Sequence, residues 1–254
     1  MVQAWIGISL YELYVQFKPQ GVLALLILDP FIYLVLFIPS LQHVIGEVTY
    51  GSRVVDYAVF ALPGILTMTM LTVALAAGFP LYMAKTSGEI EMLFSSPSPR
   101  WMLLGAKMQT LVVRIFIEGL VIFGLGLLLV SLNSISALNV LLSLLLATGC
   151  GAVFGLVVLS LAAVVKNDQV YSLMINLFFL PLVFTAPVFY PIEQMPAWLQ
   201  IFAKLNPLTF AVAAIRGTFF GIALEAQLVN LIGLVIFLVA AIIFARWAFP
   251  KAIQ

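Results

Sequence analysis

Charge is what this 254-residue sequence has least of. Asp, Glu, Lys and Arg together make up 8% of it, against about 25% in an ordinary soluble domain. Its 11 Lys+Arg and 10 Asp+Glu nearly cancel, so there is no basic footprint for nucleic acid. There is one histidine, His43, and one cysteine, Cys150. That excludes a His/Cys metal cluster, which needs several such ligands. It also excludes an internal disulfide, so the redox compartment is unreadable. No Gly-x-x-x-x-Gly-Lys-Ser/Thr run is present; the nearest fragment, Gly105-Ala106-Lys107, lacks the first glycine and the following hydroxyl. The chain therefore has no cradle for nucleotide phosphates. A Gly-x-Ser-x-Gly nucleophile elbow is missing too. These absences argue against an enzyme, and against a cofactor or metal held by this chain.

What the sequence has in excess is hydrocarbon, with 64% of its residues apolar. A soluble fold of this size still exposes much of its surface and could not hide that excess. Six runs are long enough for a membrane-crossing helix, which needs about 20 mostly apolar residues. They fall near 22–41, 54–82, 111–132, 138–165, 172–189 and 228–249. The runs lack period-two alternation, which excludes a β-barrel. The N-terminus has no basic head, and Glu12 interrupts its first apolar stretch, unlike a cleaved signal peptide. The expectation is an all-α integral membrane protein, one multi-pass domain over 1–254.

Charge sets its orientation. With six spans both termini share a side. That side carries Lys18, Lys85, Arg100, Lys107, Lys166, Arg246 and Lys251, with Arg114 just inside the membrane. The other carries Arg53, Lys204 and Arg216, and His43 in a loop. Excess Lys/Arg marks the cytoplasmic side. Both termini are expected in the cytosol, together with loops 83–110 and 166–171.

Four further segments carry information. Within 1–20, Ile6, Leu10, Leu13 and Phe17 recur at helical spacing, with Gln3, Glu12 and Gln16 elsewhere around the helix. This reads as an amphipathic helix in the membrane interface, broken from span one by Pro19-Gln20-Gly21. Segment 83–102 is the most polar cytosolic stretch. Ser87 is a candidate N-cap and Glu89 and Glu91 suit a first turn, while Pro97 and Pro99 end the helix. Segment 190–227, beyond span five, is broken at Tyr190-Pro191, Met195-Pro196 and Asn206-Pro207. It reads as external half-helices dipping into the outer leaflet. In span four Ala147, Gly151 and Gly155 share one face, which lets helix backbones approach closely, within one chain or between two.

Ionisable groups at membrane depth are functional candidates by default. Arg114 and Glu118 sit four apart on span three and can pair along one face. Asp29 precedes Pro30 in span one, as a helix cap would. These three residues open an alternative function, an ion-coupled secondary carrier or channel.

The order of features resembles the membrane permease subunit of a type-2 ATP-binding-cassette exporter, a group moving drugs, lipids or polysaccharides. Three stretches carry the resemblance: Ala61-Leu62-Pro63-Gly64-Ile65-Leu66; Gly88 to Arg100 followed by Leu104-Gly105-Ala106-Lys107; and Leu205-Asn206-Pro207-Leu208-Thr209-Phe210, with Ile215-Arg216 after it. Pro191 to Leu199 matches the usual lead-in. One departure is Lys85-Thr86-Ser87, where many relatives carry an acidic or Arg-Glu pair. The resemblance implies export of an amphipathic, lipid-linked or drug-like substrate, or a polysaccharide, across a plasma or inner membrane. It implies a homodimer in contact with membrane lipids and two copies of a separate ATPase subunit that holds ATP and Mg2+. It implies a coupling helix seated on that ATPase through Glu89, Glu91, Met92, Leu93, Pro97 and Arg100, with Lys166 and Asp168 in the second loop. It also implies an external gate near Tyr190, Pro191, Trp198, Asn206 and Pro207. A carrier would have no need of the 88–100 loop, and the expected inverted repeats of a carrier are not visible.

Overall fold

A computed structural model describes residues 2–18, 28, 30–51, 53–87, 100–130 and 135–250. Its elements are nearly all helices, because a backbone crossing hydrocarbon must satisfy its own N–H and C=O groups. Helix α1 covers Val2–Phe17. Helix α2 covers Ile32–Ile45; its first turns, Ile32–Phe37, are wound as a π-helix. The start of the first expected span lies outside the described residues, and its helix runs on past residue 41. Then come strands β1 (Glu47–Tyr50) and β2 (Arg53–Asp56). The long helices are α3 (Tyr57–Thr86), α4 (Arg100–Leu129), α5 (Ala137–Val164) and α6 (Asp168–Thr185). After a 3-10 turn at Ile192–Gln194 follow α7 (Ala197–Leu205), α8 (Pro207–Phe219) and α9 (Leu224–Ala248).

Among the described residues five helices can cross a membrane by length and composition: α3, α4, α5, α6 and α9. Helices α7 and α8 add a sixth only if the pair, bent by 84°, is taken as one broken span. Helix α3 is the axis of the fold. In its most apolar window 89% of residues are buried, against 11% in α6 and in α9. So α3 faces protein on every side, and α6 and α9 face outward.

Two span boundaries differ from expectation for clear reasons. The second span begins at Tyr57, not 54, because Val54 and Val55 belong to a hairpin in which Tyr50 pairs with Arg53. Gly51 turns the chain there at φ +63°, a conformation glycine adopts without strain. Four residues of strand are too few to show alternation beside so long an apolar run. The fifth span ends at Thr185, not 189. Ala186 is extended, with ψ 150°, as the residue before Pro187 is driven to be. Helix α4 starts at Arg100, eleven residues before its expected span.

The small-residue face of α5 meets α4 of the same chain. A Cβ on Gly151 would lie 2.5 Å from Ile115, and one on Gly155 2.0 Å from Leu111. These glycines let two spans touch within one subunit. His43 lies exposed in the last turn of α2, not in a loop.

Candidate functional site

At one end of the bundle α3, α5 and α6 finish or begin together. The α3 helix reaches this end at Lys85 and Thr86. The Lys85 ammonium donates to the carbonyl of Ala163 and, at 3.2 Å, to that of Val165. These are carbonyls of the last turn of α5 and its cap, where helix C-termini attract cations. Two residues on, Asn167 caps α6, its Oδ1 accepting from the N–H of Gln169 (2.8 Å) and Val170 (3.3 Å). Lys166 and Asp168 flank it, both exposed. One turn up, Tyr82 stacks on Tyr171 with centroids 5.0 Å apart. Gly78 leaves room for that pair, since a Cβ there would lie 2.4 Å from the Tyr171 hydroxyl. The C-terminus of α3 is thus tied to the α5–α6 turn by a cation and a ring stack.

Glu89, Glu91, Met92, Leu93 and Pro97 lie outside the described residues. Arg100 is described only as the first residue of α4. So the structure brings Lys85, Lys166 and Asp168 to one end and leaves the rest of that expected surface unaddressed.

Helix α1 lies along α4 at the same end. Trp5 covers Gly105, and Lys107 bridges Glu12 at 3.1 Å. Its polar residues Ser9 and Glu12 face inward, while Ile6, Leu10, Tyr11 and Tyr14 face out. A soluble helix does the reverse; outward apolar side chains suit a helix bathed in lipid. Between Glu12, Lys107, Thr110 and Arg114 is a cleft of about 30 Å³, room for about one water. Arg114 donates to Glu118 at 2.9 Å along the same helix. The pair is local, four residues apart on one helix. Asp29, the third intramembrane candidate, lies outside the described residues. Those residues contain no group of three His, Cys, Asp or Glu that could hold a metal.

The opposite end is built on Arg216. It was counted with Arg53 and Lys204 on the side away from the cytosol, and it is only 2% exposed. Its two terminal nitrogens donate to the carbonyls of Pro187 and Val188, each at 2.9 Å. The guanidinium lies 3.9 Å over the Phe60 ring and 5.9 Å from that of Tyr50. The 186–190 break leaves carbonyls without helical partners, and the arginine fork fits a neighbouring pair of them. Helix α3 passes close by: a Cβ on Gly64 would lie 2.1 Å from the Val188 oxygen. That explains the Pro63-Gly64 pair, a kink-tolerant step where two backbones meet. Burial pushes the Tyr50 phenol above its ordinary range, and the nearby Arg216 offsets part of that.

Asn206 closes the same knot. It is buried; its Oδ1 accepts from the Leu208 N–H at 2.8 Å, capping α8. Its amide donates to the carbonyl of Leu182 (2.7 Å) and the hydroxyl of Thr185 (2.8 Å). Pro207 occupies the first turn of α8, where a missing N–H does no harm. Asn206 and Pro207 therefore join α6 to α8. Pro191 is buried and Tyr190 is exposed. Trp198 stands outward with Ile201, Phe202 and Leu205 on one face of α7. Arg53 of the hairpin caps the end of α8, donating to the Phe220 carbonyl at 2.8 Å.

Sequence reasoning did not pick out Lys85 and Arg216 as site residues. A signal for Arg216 was present: no acid lies between Asn206 and Phe220, so a cation in that apolar stretch has carbonyls and rings as its available partners.

Comparison with known proteins adds the lineage. A profile described as ABC-2 type transporter matches residues 16–220. The chain is 26% identical over 215 residues to the inner membrane transport permease YadH of Escherichia coli K12, covering 82% of each. It is 28% identical over 213 residues to the putative transport permease ycf38 of Cyanophora paradoxa, covering 81% of this chain and 70% of that one. It is 24% identical over 156 residues to the probable multidrug ABC transporter permease YbhR of Escherichia coli K12, covering 60% of this chain and 41% of that one.

Proposed function

We propose, from the premise that this chain belongs to the ABC-2 type transporter family, that it is the membrane half of an ATP-driven exporter. As a transmembrane permease subunit of an ABC transporter it works with an ATP-binding-cassette subunit. In our reading two copies of this chain form the pathway and two copies of the ATPase bind ATP and Mg2+ on the cytoplasmic face. The end bearing Lys85, Lys166 and Asp168 is that face, so both termini are cytoplasmic. Glu89, Glu91, Met92, Leu93, Pro97 and Arg100 seat a coupling helix on the ATPase. The cargo is amphipathic, lipid-linked or drug-like, in keeping with the apolar side chains available to line a path and with the multidrug name of one relative. Tyr190, Pro191 and Trp198 border the exit.

One observation supports this reading most directly: the Lys85 tie to the carbonyls of Ala163 and Val165. Lys85 lies three residues before the 88–99 segment, and Val165 immediately precedes the 166–168 turn. A push on either loop is therefore delivered to α3, α5 and α6 together. Rigid elements joined at one end transmit displacement because packed helices shift as units.

Co-purification in mild detergent, with partners identified by mass spectrometry, tests the assembly. A stoichiometric soluble ATPase with a phosphate-binding loop is the expected result. In the reconstituted complex, replacing Glu91 and Arg100 should leave hydrolysis running without transport. Normal transport by those variants would overturn the coupling role. Asp29→Asn should change transport only modestly; its complete loss would favour the ion-coupled carrier.

A further inference from the structure

Two apolar spaces lie between the polar ends described above. The first is a groove of about 350 Å³ between α5 and α9. Leu145, Gly149 and Val153 form one wall, at four-residue steps along α5; Leu231, Val235 and Leu238 form the other. The second is a chamber of about 260 Å³ behind α6, reached by Leu75 of α3, Leu161 of α5, Phe178 of α6 and Phe244 of α9. Phe154 and Phe237 line both spaces. Their rings meet at 4.8 Å between centroids, tilted by 46°, so this one aromatic pair is the partition.

Neither space suits water. A buried water needs two to four polar partners, and dry apolar cavities of about 150 Å³ instead take up molecules such as benzene. Every lining side chain of the two spaces is apolar or, at Cys150, a weakly polar thiol. Nor does vacancy suit them, because the lining atoms would lose dispersion contacts on one side. The groove opens where Leu145, Val235 and Leu238 are exposed, on two helices that span the membrane. What meets that face is the hydrocarbon of the bilayer. Space is built in at its centre, since a Cβ on Gly149 would meet nothing within 4 Å.

We propose that the α5–α9 groove is a binding site for one acyl chain of a bilayer lipid, whose tail ends against the Phe154–Phe237 partition. Its occupant is a lipid of the surrounding bilayer, and the site stands whether or not the export reading does.

The test uses the full chain, in its purified complex, in vesicles of phosphatidylcholine carrying a terminal diazirine on one acyl chain. After irradiation, adducts are mapped by peptide mass spectrometry. Adducts should concentrate on the stretches 145–154 and 231–238, several-fold above the exposed α6 positions Leu173 and Leu177. Gly149→Phe should remove the groove adducts and leave those at Leu173 and Leu177. Gly149→Leu, a smaller filling of the same space, should reduce them in proportion. Even labelling of all outward helix faces, unchanged by either variant, would overturn the proposal. Val235 lines the groove and is exposed, so Val235→Cys in a Cys150→Ser background, with a short bis-maleimide, provides an independent readout. A high yield of cross-linked dimer, with no groove adducts, would mean that a second copy covers the groove and would overturn the proposal as well.

Discussion

Both ends of the bundle are closed by a cation on backbone carbonyls, and they are closed differently. Arg216 holds Pro187 and Val188 with two geometrically fixed nitrogens, in a dry setting, with a ring against its face. Lys85 holds Ala163 and Val165 with one point charge, partly buried. Hydrogen bonds to a charged group contribute about 1.5–3 kcal/mol each when buried. Lysine gives up more side-chain freedom for each bond it makes, and water can replace it at a wet site. The first arrangement is a dry two-pronged clamp; the second is a weaker tie of one point charge. The clamped end carries the broken segments 186–190 and 206–207, and the other end carries the 166–168 turn.

The comparison breaks first at Arg216. Arg216→Leu strands two buried carbonyls and empties the space over Phe60, so a loss of about 3 kcal/mol or more is expected. Thermal unfolding in detergent, read by the exposure of buried Cys150 to a fluorogenic maleimide, measures it. Arg216→Lys should recover part of the loss; full recovery would show that charge and not the fork matters.

Gly64→Ala comes next. Its Cβ would meet the Val188 oxygen at 2.1 Å, and such overpacking costs about 1–3 kcal/mol. Unchanged unfolding would mean that α3 and the 186–190 break separate freely, against the idea of a fixed clamp.

Lys85→Met should cost only about 1 kcal/mol of stability yet lower the transport obtained per ATP hydrolysed. Transport and hydrolysis measured together in proteoliposomes decide this. A proportional fall in both would reduce Lys85 to a structural brace.

The smallest effect belongs to the local ion pair. Arg114→Gln alone removes the Arg114 bond from the buried Glu118 carboxylate and should destabilise the protein more than the double Arg114→Gln/Glu118→Gln variant does. The double variant should lie within about 0.5 kcal/mol of the parent. A larger loss of transport in the double variant than in either single one would put the pair on a polar path.

Much of the architecture was legible without coordinates. The α5 span was expected at 138–165 and is Ala137–Val164; the α9 span was expected at 228–249 and is Leu224–Ala248. The break at Asn206-Pro207 and the Arg114–Glu118 pair were legible too. All of these are local signals: length, apolar run, a proline, or a four-residue spacing. The membrane makes them strong, because hydrocarbon leaves a backbone few alternatives to a helix.

Other features depend on which distant segments come to lie together. Arg216 was counted only as a charge on one side of the membrane, because nothing within its own helix names which carbonyls, 28 residues upstream, it binds. Lys85 reaches a carbonyl 78 residues downstream, and Arg53 one 167 residues downstream. The stop at Thr185 was written locally in Ala186-Pro187, yet the apolar run through Phe189 concealed it. By itself the sequence determined that this chain lives in a bilayer, crosses it as helices and breaks between α6 and α9, since transfer of apolar residues out of water dominates every local choice. Tertiary structure alone decided which end is clamped, which is tied by one point charge and where space is left between α5 and α9. Those outcomes rest on the meeting of side chains and carbonyls far apart in the chain, which no local pattern encodes.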